Sequence, residues 1–305
     1  IVFGILIAFV SNYLLSAIET DAWRWMIGVE AIPALIYTLL VLTIPKSPRW
    51  LIINRDDRAK AIETLKIILP EEDPEKLVEK LVEKIVAEDK QTIKQETIFS
   101  KKYRFPLLLA FLIAFFNQFS GINAFLYYAP RIFEIAGLGE STALLSSIGI
   151  GITNMVFTLI GLSLIDRFGR KQLMYIGSFG YVLSLLLVAM AFQLKWTGMA
   201  VPIFLFMFIA AHAIGQGTVI WVFISEIFPN HLRASGQAFG SSTHWVLAAA
   251  IPSVVPILFT SIGAAPVFGF FAFMMVLQLI FVWRMMPETK NVSLEDLQKQ
   301  LVDNT

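Results

Sequence analysis

The sequence contains no cysteine, and only 15% of its 305 residues are charged. The lack of cysteine excludes disulfide bonds, a thiolate metal site and a catalytic thiol. The low charge, against about 25% in an average soluble domain, argues against a disordered chain and against a water-soluble domain of this size. The G-x-x-x-x-G-K-[ST] phosphate-binding pattern and any catalytic constellation are also missing. We therefore expect neither an enzyme nor a bound cofactor.

Long apolar runs dominate the chain instead, with 57% hydrophobic residues, 26 Phe and 7 Trp. A membrane-spanning helix requires ~20 mostly apolar residues. Eight stretches meet that requirement: 1–18, 25–45, 105–133, 142–165, 171–194, 199–228, 236–260 and 265–286. The pattern predicts an all-α, polytopic membrane protein. Because the chain opens on IVFGILIAFV, without Met or a charged lead-in, we expect a fragment that begins inside a span rather than a signal peptide.

Lys and Arg residues are distributed unevenly between the two sides of these spans. Of the 24, fourteen lie in 46–104 and seven more lie within 166–171, at Arg233 and within 284–299. The opposite side holds Arg24, Arg131 and Lys195. Because cytoplasmic loops are enriched in basic residues, we expect 46–104 and the C-terminus to lie in the cytoplasm.

The segment 46–104 has the pattern of amphipathic helices rather than of a loop. The stretches 56–69 and 74–91 are charged and favour helix. In the second stretch an apolar stripe recurs every three to four positions, formed by Leu77, Val78, Leu81, Val82, Ile85 and Val86. We expect two or more helices beneath the membrane, with a Lys-rich face that is solvated or near anionic lipid headgroups. No basic patch with interleaved aromatic residues indicates nucleic-acid binding.

Five short motifs follow one another in an order and spacing typical of one family. They are PKSPRWL at 45–51, NQFSGINA at 117–124, DRFGRK at 166–171, a helix signature (GQG at 215–217, Trp221, SEIFP at 225–229 and Arg233), and PETK at 287–290. Together they resemble the sugar porter family of the major facilitator superfamily, most closely its bacterial xylose and hexose–proton symporters. The resemblance implies a partial major facilitator fold, with 8 of 12 transmembrane helices, numbers five to twelve.

The resemblance also implies an organisation and a function. The parts are the last two helices of the N-terminal half (1–45), a cytoplasmic helical linker (46–104), the six-helix C-terminal half (105–286) and a cytoplasmic tail (287–305). Such a protein takes up a monosaccharide across the bacterial inner membrane by alternating access, with proton symport. The alternatives are a proton-independent facilitator and a truncated homologue that senses sugar or does not transport. The sequence names neither the sugar nor the oligomeric state.

Three amide side chains interrupt one apolar run, and inside a membrane each needs a partner or a function. They are Asn117, Gln118 and Asn123. The Ser-Gly pair between them favours a break in the helix. Amides offer both donors and acceptors to the hydroxyl groups of a sugar. The resemblance implies that Gln118 and Asn123 bind the sugar and that Tyr127 is an outer gate, whereas Asn117 replaces the family's usual Gln.

Further candidates for the sugar site lie on later helices. Asn154, the one amide of its span, either binds the sugar or joins two helices. The resemblance implies that Trp221 stacks on the sugar ring, although a Trp in mid-helix also serves as packing, and Gly217 permits close approach. His212 and His244 align with positions near the sugar. Each is either a proton-linked group or a neutral hydrogen-bonding side chain.

Glu30 and Phe9 bear on proton coupling and on the choice of substrate. Glu30 is an acid well within a predicted span, six residues after Arg24, where a carboxyl group is able to carry a proton near neutral pH. The resemblance implies a role in proton coupling, and the alternative is a pair near the outer surface. Phe9 replaces a Gln with which many porters bond the sugar, and Asn12 offers an amide one turn later.

Charged residues at the cytoplasmic ends of the helices form the last set of candidates. They are Arg49, Asp166, Arg167, Arg170, Lys171, Glu226, Arg233 and Glu288. Charges at such places either reflect topology alone or form geometrically specific Arg–carboxylate pairs. The resemblance implies the second reading, a cytoplasmic gate that locks the two halves together when the protein faces outward.

Overall fold

The computed structural model describes residues 1–18, 20–70, 73–91, 97–196, 198–229, 231–292, 296–297 and 299–303. Across these residues every regular element is a helix, which confirms the predicted all-α class. The α-helices are α1 (Val2–Leu15), α2 (Ala22–Gly28), α3 (Ala31–Val41), α4 (Pro48–Arg55), α5 (Arg58–Ile68), α6 (Pro74–Gln91), α7 (Arg104–Phe119), α8 (Ile122–Ile135), α9 (Glu140–Phe168), α10 (Arg170–Gln193), α11 (Ala200–His212), α12 (Thr218–Glu226), α13 (Arg233–Ser261) and α14 (Ala264–Arg284). A 3₁₀ turn (Lys101–Tyr103) precedes α7, and π-helical turns occupy Ala213–Gly217 and Lys299–Asp303.

Seven stretches of the described helices are long and apolar enough to cross a membrane. They are Ala22–Val41, Lys101–Ile135, Glu140–Phe168, Arg170–Gln193, Ala200–Glu226, Arg233–Ser261 and Ala264–Arg284. These positions agree with seven of the eight predicted spans. The stretch 1–18 contains the 14-residue α1, which rises only ~21 Å at ~1.5 Å per residue and is shorter than the ~30 Å hydrocarbon core.

The observed counterpart of the predicted span 25–45 is Ala22–Val41. It is built from α2 and α3, which are separated by a turn at Val29 and Glu30. No residue of either helix is buried. The apolar composition of the stretch predicted its length correctly, but it carried no signal for the turn.

Backbone contacts divide the chain into two units. One unit combines Ile1–Ala22 with Thr97–Thr305, and the other is Trp23–Glu96. The predicted domain boundaries after residues 45, 104 and 286 stay predictions.

Aromatic side chains form the centre of the larger unit. Within it α10 packs mainly against α11 and α14, α7 packs against α13, and α1 packs against α9. The Phe125 ring centroid lies 4.4 Å from that of Phe208 and 5.1 Å from that of Phe268, and all three side chains are buried. Because lipid tails are as apolar as these rings, close packing rather than exclusion of water holds such helices together.

The smaller unit has a core of its own under its amphipathic helices. The core residues are Leu51, Ala61, Leu65 and Val78, with Ile52, Ile62, Leu77 and Val82 packed around them. This confirms the predicted apolar stripe of α6 for Leu77, Val78 and Val82. Ile85 and Val86 lie outside the residues whose side chains are described.

Asp57 caps the first turn of α5. Its carboxylate accepts the backbone N–H of Lys60 at 3.0 Å, and that hydrogen bond lowers the pKa of the carboxyl group. The cap explains why α5 begins at Arg58 rather than at the predicted residue 56.

Candidate functional site

The helix break predicted between the amides is present. α7 ends at Phe119 and α8 begins at Ile122, and Gly121 between them has φ +85°, a conformation that favours glycine. A Cβ atom at this position would also lie 2.9 Å from the Phe271 ring. Ser120 closes the break, since its Oγ donates to the Asn117 carbonyl at 2.6 Å and accepts from the Ile122 N–H at 3.3 Å. The break therefore changes the helical phase between Asn117 and Gln118, which lie on α7, and Asn123, which lies on α8.

Gln118 is the centre of a hydrogen-bonded network at this break. Its Nε2 donates to Asn117 Oδ1 at 3.0 Å and lies 3.0 Å from Nδ1 of His244, and its Oε1 accepts from Asn123 Nδ2 at 2.9 Å. Both hydrogens of the Gln118 amide are thus used. Gln118 is buried whereas Asn123 is half-buried. Among the described residues, nothing donates to Asn123 Oδ1, so this acceptor is available to a ligand.

Aromatic rings surround His244 on the same side of the network. The centroid of the His244 ring lies 5.0 Å from the Trp221 ring and 5.0 Å from the Trp245 ring. Trp221 is half-buried, and Gln237 Nε2 donates to its carbonyl at 3.2 Å. Trp221 is therefore linked to the amides through His244, and its stacking on a sugar ring stays a prediction.

Tyr127 lies on the exposed side of α8, with 58% of its surface accessible. It lines a surface cavity of about 410 Å³ together with Tyr128, Trp245, Ala248, Ala249, Pro252 and Ser253. At Tyr128 the helix is irregular (φ −110°, ψ 17°), two residues before Pro130, which has no N–H to give the helix. Tyr127, the predicted outer gate, thus lines the same cavity as Trp245, and the Trp245 ring contacts that of His244.

His212 and Gly217 come together at the π-helical turn that joins α11 to α12. A Cβ atom at Gly217 would lie 3.2 Å from Cδ2 of the His212 ring and 3.3 Å from Nε2, so a side chain there would crowd this ring. His212 Nδ1 is hydrogen-bonded to the hydroxyl of the buried Tyr181 on α10. The sequence analysis did not single out Tyr181. A lone phenol in an apolar span was the available signal, because a buried hydroxyl needs a partner.

Asn154 is placed apart from the amide network in the part of the chain that is described. It is buried on α9, and its Oδ1 accepts from Thr158 at 3.5 Å. One turn earlier, a Cβ atom at Gly151 would meet Phe9 of α1 at 3.2 Å, so Phe9 packs against this helix. Both readings of Asn154 stay predictions.

A second polar network was missed by the sequence analysis. Gln216 Nε2 donates to Gln278 Oε1, and Gln278 Nε2 donates to Ser178 Oγ at 2.9 Å. All three side chains are fully buried, and Gln216 Oε1 is without a hydrogen-bond partner among the described residues. The network joins the π-helical turn to α14 and α10. Gln278, an amide inside the apolar α14, was the signal for it.

The predicted gate residues form a cluster around Arg170 at the start of α10. Its guanidinium binds Glu226 through two hydrogen bonds, Nη2 to Oε1 at 2.7 Å and Nε to Oε2 at 3.1 Å, and its Nη1 lies 3.2 Å from Asp166 Oδ1. Two parallel bonds give such a pair a fixed geometry. The Arg170 side chain is only 11% exposed. The cluster therefore contains the geometrically specific Arg–carboxylate pair, and its role as a gate stays a prediction.

Glu288 caps the same helix from the far end of the chain. Its Oε1 accepts the Arg170 N–H at 2.9 Å and its Oε2 accepts the Lys171 N–H at 3.0 Å, where the positive end of the helix dipole favours an acid. Thr289 Oγ1 donates to Glu226 at 2.6 Å, and Lys290 Nζ donates to the Arg167 carbonyl at 2.6 Å. The PETK motif is thus part of the cluster.

Arg233, Arg49 and Glu30 complete the set of predicted residues. Arg233 begins α13, and its Nε is buried without a hydrogen-bond partner among the described residues. Arg49, on α4, and Glu30 belong to the Trp23–Glu96 unit. Glu30 is exposed and precedes α3 at the turn, and both readings of it stay predictions.

Buried polar networks inside a bundle of long apolar helices define a multi-pass integral membrane protein. The chain matches the family described as "Sugar (and other) transporter" over residues 1–301, and it belongs to that family. This confirms the resemblance to sugar porters that the motifs indicated.

The relatives include two named symporters. The chain is 35% identical to the arabinose-proton symporter of Bacillus subtilis (strain 168) over 278 residues, which are 91% of this chain and 59% of the relative. It is 32% identical to the D-xylose-proton symporter of Escherichia coli (strain K12) over 318 residues, covering 98% of this chain and 62% of the relative. The chain thus spans about three fifths of these relatives' length.

A solved structure shares the fold. The inward open conformation of the xylose transporter XylE from E. coli superposes with a TM-score of 0.81 at 29% sequence identity. The match covers 99% of this chain and 63% of that chain. The fold is therefore a partial major facilitator fold, as the resemblance implied.

Proposed function

We propose that the chain provides the sugar site and a cytoplasmic gate of a secondary transporter that takes up a monosaccharide, a pentose or a hexose, by alternating access. The observation that carries the proposal is the Gln118-centred network at the helix break. Relatives named as arabinose-proton and D-xylose-proton symporters support the substrate class. The multi-pass protein would lie in a bacterial inner membrane with its C-terminus in the cytoplasm, in keeping with the distribution of Lys and Arg.

The chemistry of the network suits an uncharged polyol. Its polar groups are amides and an imidazole, and a sugar hydroxyl is able to donate to Asn123 Oδ1 while it accepts from a neighbouring N–H. Trp221 offers an aromatic face for the apolar C–H side of the sugar ring. A charged ligand would find no opposite charge in this network.

The Arg170 cluster is proposed as one side of the cytoplasmic gate. Alternating access requires the two halves of a transporter to rock against each other around a fixed site. A guanidinium already fixed by Glu226 and Asp166 gives the C-terminal half a rigid, charged end with which another half can form and release contacts. The organisation into 1–45, 46–104, 105–286 and 287–305 belongs to this proposal.

Counterflow in liposomes tests the proposed function. Protein produced from the complete reading frame that encodes these residues is reconstituted with unlabelled D-xylose, D-glucose or L-arabinose inside, and uptake of the same labelled sugar is followed. We expect exchange of at least one D- or L-pentose or D-hexose, and none of a negatively charged sugar acid. Lack of exchange with every monosaccharide contradicts the proposal and favours a homologue that senses sugar or does not transport.

Replacing Glu30 with glutamine is expected to separate proton symport from facilitated diffusion. An amide cannot release a proton, so accumulation driven by a pH gradient should fall at least about tenfold, while counterflow without a gradient stays within about twofold. Accumulation and counterflow are measured in the same proteoliposomes. Glu134→Gln, in the exposed pair with Arg131, is the matched control. Unchanged accumulation in Glu30→Gln would show that this acid does not couple protons.

A further inference from the structure

The π-helical turn between α11 and α12 lies in backbone contact with α10. A Cβ atom at Gly215 would lie 2.8 Å from Cα of Gly177, and a Cβ atom at Gly177 would lie 2.8 Å from Cα of Gly215. Thr218 closes the turn, since its Oγ1 donates to the Ala213 carbonyl at 2.6 Å. Contact between two glycines fixes how closely the backbones approach, whereas the direction of the turn requires hydrogen bonds, which depend on angle.

The second polar network supplies directional bonds at this contact. Gln216 Nε2 donates to Gln278 Oε1, and Gln278 Nε2 donates to Ser178 Oγ at 2.9 Å. Two of these residues directly follow the contacting glycines in the chain, Ser178 after Gly177 and Gln216 after Gly215. All three side chains are fully buried, so water does not compete for their hydrogen bonds.

Gln278 is the link between the turn and the rest of the bundle. It lies on α14, which packs along α10, and its amide bonds both α10 and the turn. The Gln216 side chain has no second anchor among the described residues, because its Oε1 is without a hydrogen-bond partner. Loss of the Gln278 amide would therefore leave the turn without this bond and a buried polar group unpaired.

The helix that follows the turn carries residues of both proposed functional groups. α12 begins directly after the turn, at Thr218. Near its middle, the Trp221 ring centroid lies 5.0 Å from that of His244. At its end, Glu226 accepts the Arg170 guanidinium at 2.7 Å. Both contacts lie on one nine-residue helix, so a change in the direction of the turn would displace both.

We propose that Gln278 and Ser178 are positioning residues of the transporter, which fix the direction of the π-helical turn through Gln216. They act through this turn on Trp221 of the proposed sugar site and on Glu226 of the proposed gate, without touching the sugar themselves. The inference rests on the proposed function and adds to it residues remote from both groups. A change at Gln278 should therefore alter sugar affinity and transport rate together.

Transport kinetics of Gln278→Met test the proposal in protein from the complete reading frame. Methionine has a similar length but does not form the two hydrogen bonds, so KM should rise about tenfold and kcat should fall about tenfold. Ser178→Ala should change both in the same directions, by about three- to fivefold. The matched control is Ser184→Ala, because this buried hydroxyl of α10 bonds carbonyls of its own helix, and it should stay within about twofold. A change in KM alone or in kcat alone contradicts the inference.

A double variant separates positioning from stability. Replacing Gln216 and Gln278 together with methionine leaves no unpaired amide, so the protein should unfold at about the same temperature as the wild type. KM and kcat should nevertheless stay as impaired as in Gln278→Met, because no directional bond holds the turn. Wild-type KM and kcat in this double variant overturn the inference, since the unpaired amide would then explain the defect of the single variant.

The environment of Trp221 gives a spectroscopic readout. In protein labelled with fluorotryptophan, the ¹⁹F signal of Trp221 is assigned by its loss in Trp221→Phe. This signal should shift in Gln278→Met and in the double variant, because the indole would move relative to the His244 ring. It should stay in place in Ser184→Ala. An unchanged Trp221 signal in both methionine variants overturns the inference.

The outcomes separate the inference from the proposed function. If the wild type exchanges sugar but Gln278→Met transports it with the same KM and kcat, the positioning role is wrong and the transport function stands. If the wild type exchanges no sugar at all, both proposals are wrong.

Discussion

Replacing Gln118 with leucine is expected to lower kcat/KM for sugar uptake about 100-fold, or ~2.7 kcal/mol. The leucine side chain removes the amide that bonds Asn117, Asn123 and His244 at once. Each polar group left unpaired in a buried site costs about 1–3 kcal/mol. Initial uptake rates in proteoliposomes give kcat/KM, and quenching of tryptophan fluorescence gives the binding constant, which should weaken in parallel.

Gln193→Leu is the matched control for this substitution. Gln193 is the exposed last residue of α10 and makes no described side-chain hydrogen bond, so its replacement should change kcat/KM less than about twofold. Elution as a single peak in detergent shows that both variants fold. If folded Gln118→Leu transports as fast as the control, the amide network is not the sugar site.

Replacing Arg170 with methionine is expected to lower the rate of uptake more than about 50-fold while sugar binding stays within about threefold. The change leaves Glu226, whose side chain is 24% exposed, without the guanidinium that binds it through two hydrogen bonds, and an unpaired charge in a partly buried place is destabilising. Sugar binding is spared because the cluster lies at the helix ends and not in the amide network. Uptake and equilibrium binding are compared on the same preparation.

Two further variants separate gating from topology and from stability. Arg170→Lys keeps the positive charge but cannot form the two parallel bonds to Glu226, so uptake should stay low. Full recovery in Arg170→Lys would mean that charge alone matters. Arg131→Met, which removes the exposed pair with Glu134, should change uptake less than about twofold, because surface ion pairs contribute little.

The features of the fold and site that could be predicted from sequence are those with a local signal. Gly121 marked the helix break because a Ser-Gly pair stood between amides, and the break is there. The apolar stripe of α6 predicted the side on which Val78 is buried. In both cases neighbouring residues carried the information, through backbone freedom in the first and helical periodicity in the second.

Other features depend on contacts that are remote in sequence. The Gln278 amide binds Gln216 and Ser178 from two other elements, and no local pattern identifies such partners. The Tyr181 contact to His212 is of the same kind. Glu30 shows a different limit, since the mean hydropathy of its stretch predicted a span but not the turn before α3. Side-chain partners across a bundle follow from packing, and packing is not encoded in any single segment.

The π-helical turn at Ala213–Gly217 has a consequence for the angular phase of the segment that follows it. A turn closed by an i to i+5 hydrogen bond holds one residue more than an α-helical turn, so the residues beyond it are rotated by about 100° from where a regular α-helix would place them. His212 lies before this step, while Trp221 and Glu226 lie after it. If a regular α-helix replaced this turn, Trp221 would no longer face His244, and Glu226 would no longer face Arg170. The π-helical turn therefore sets the rotation of α12 about its axis. That rotation decides whether Trp221 reaches His244 and whether Glu226 reaches Arg170.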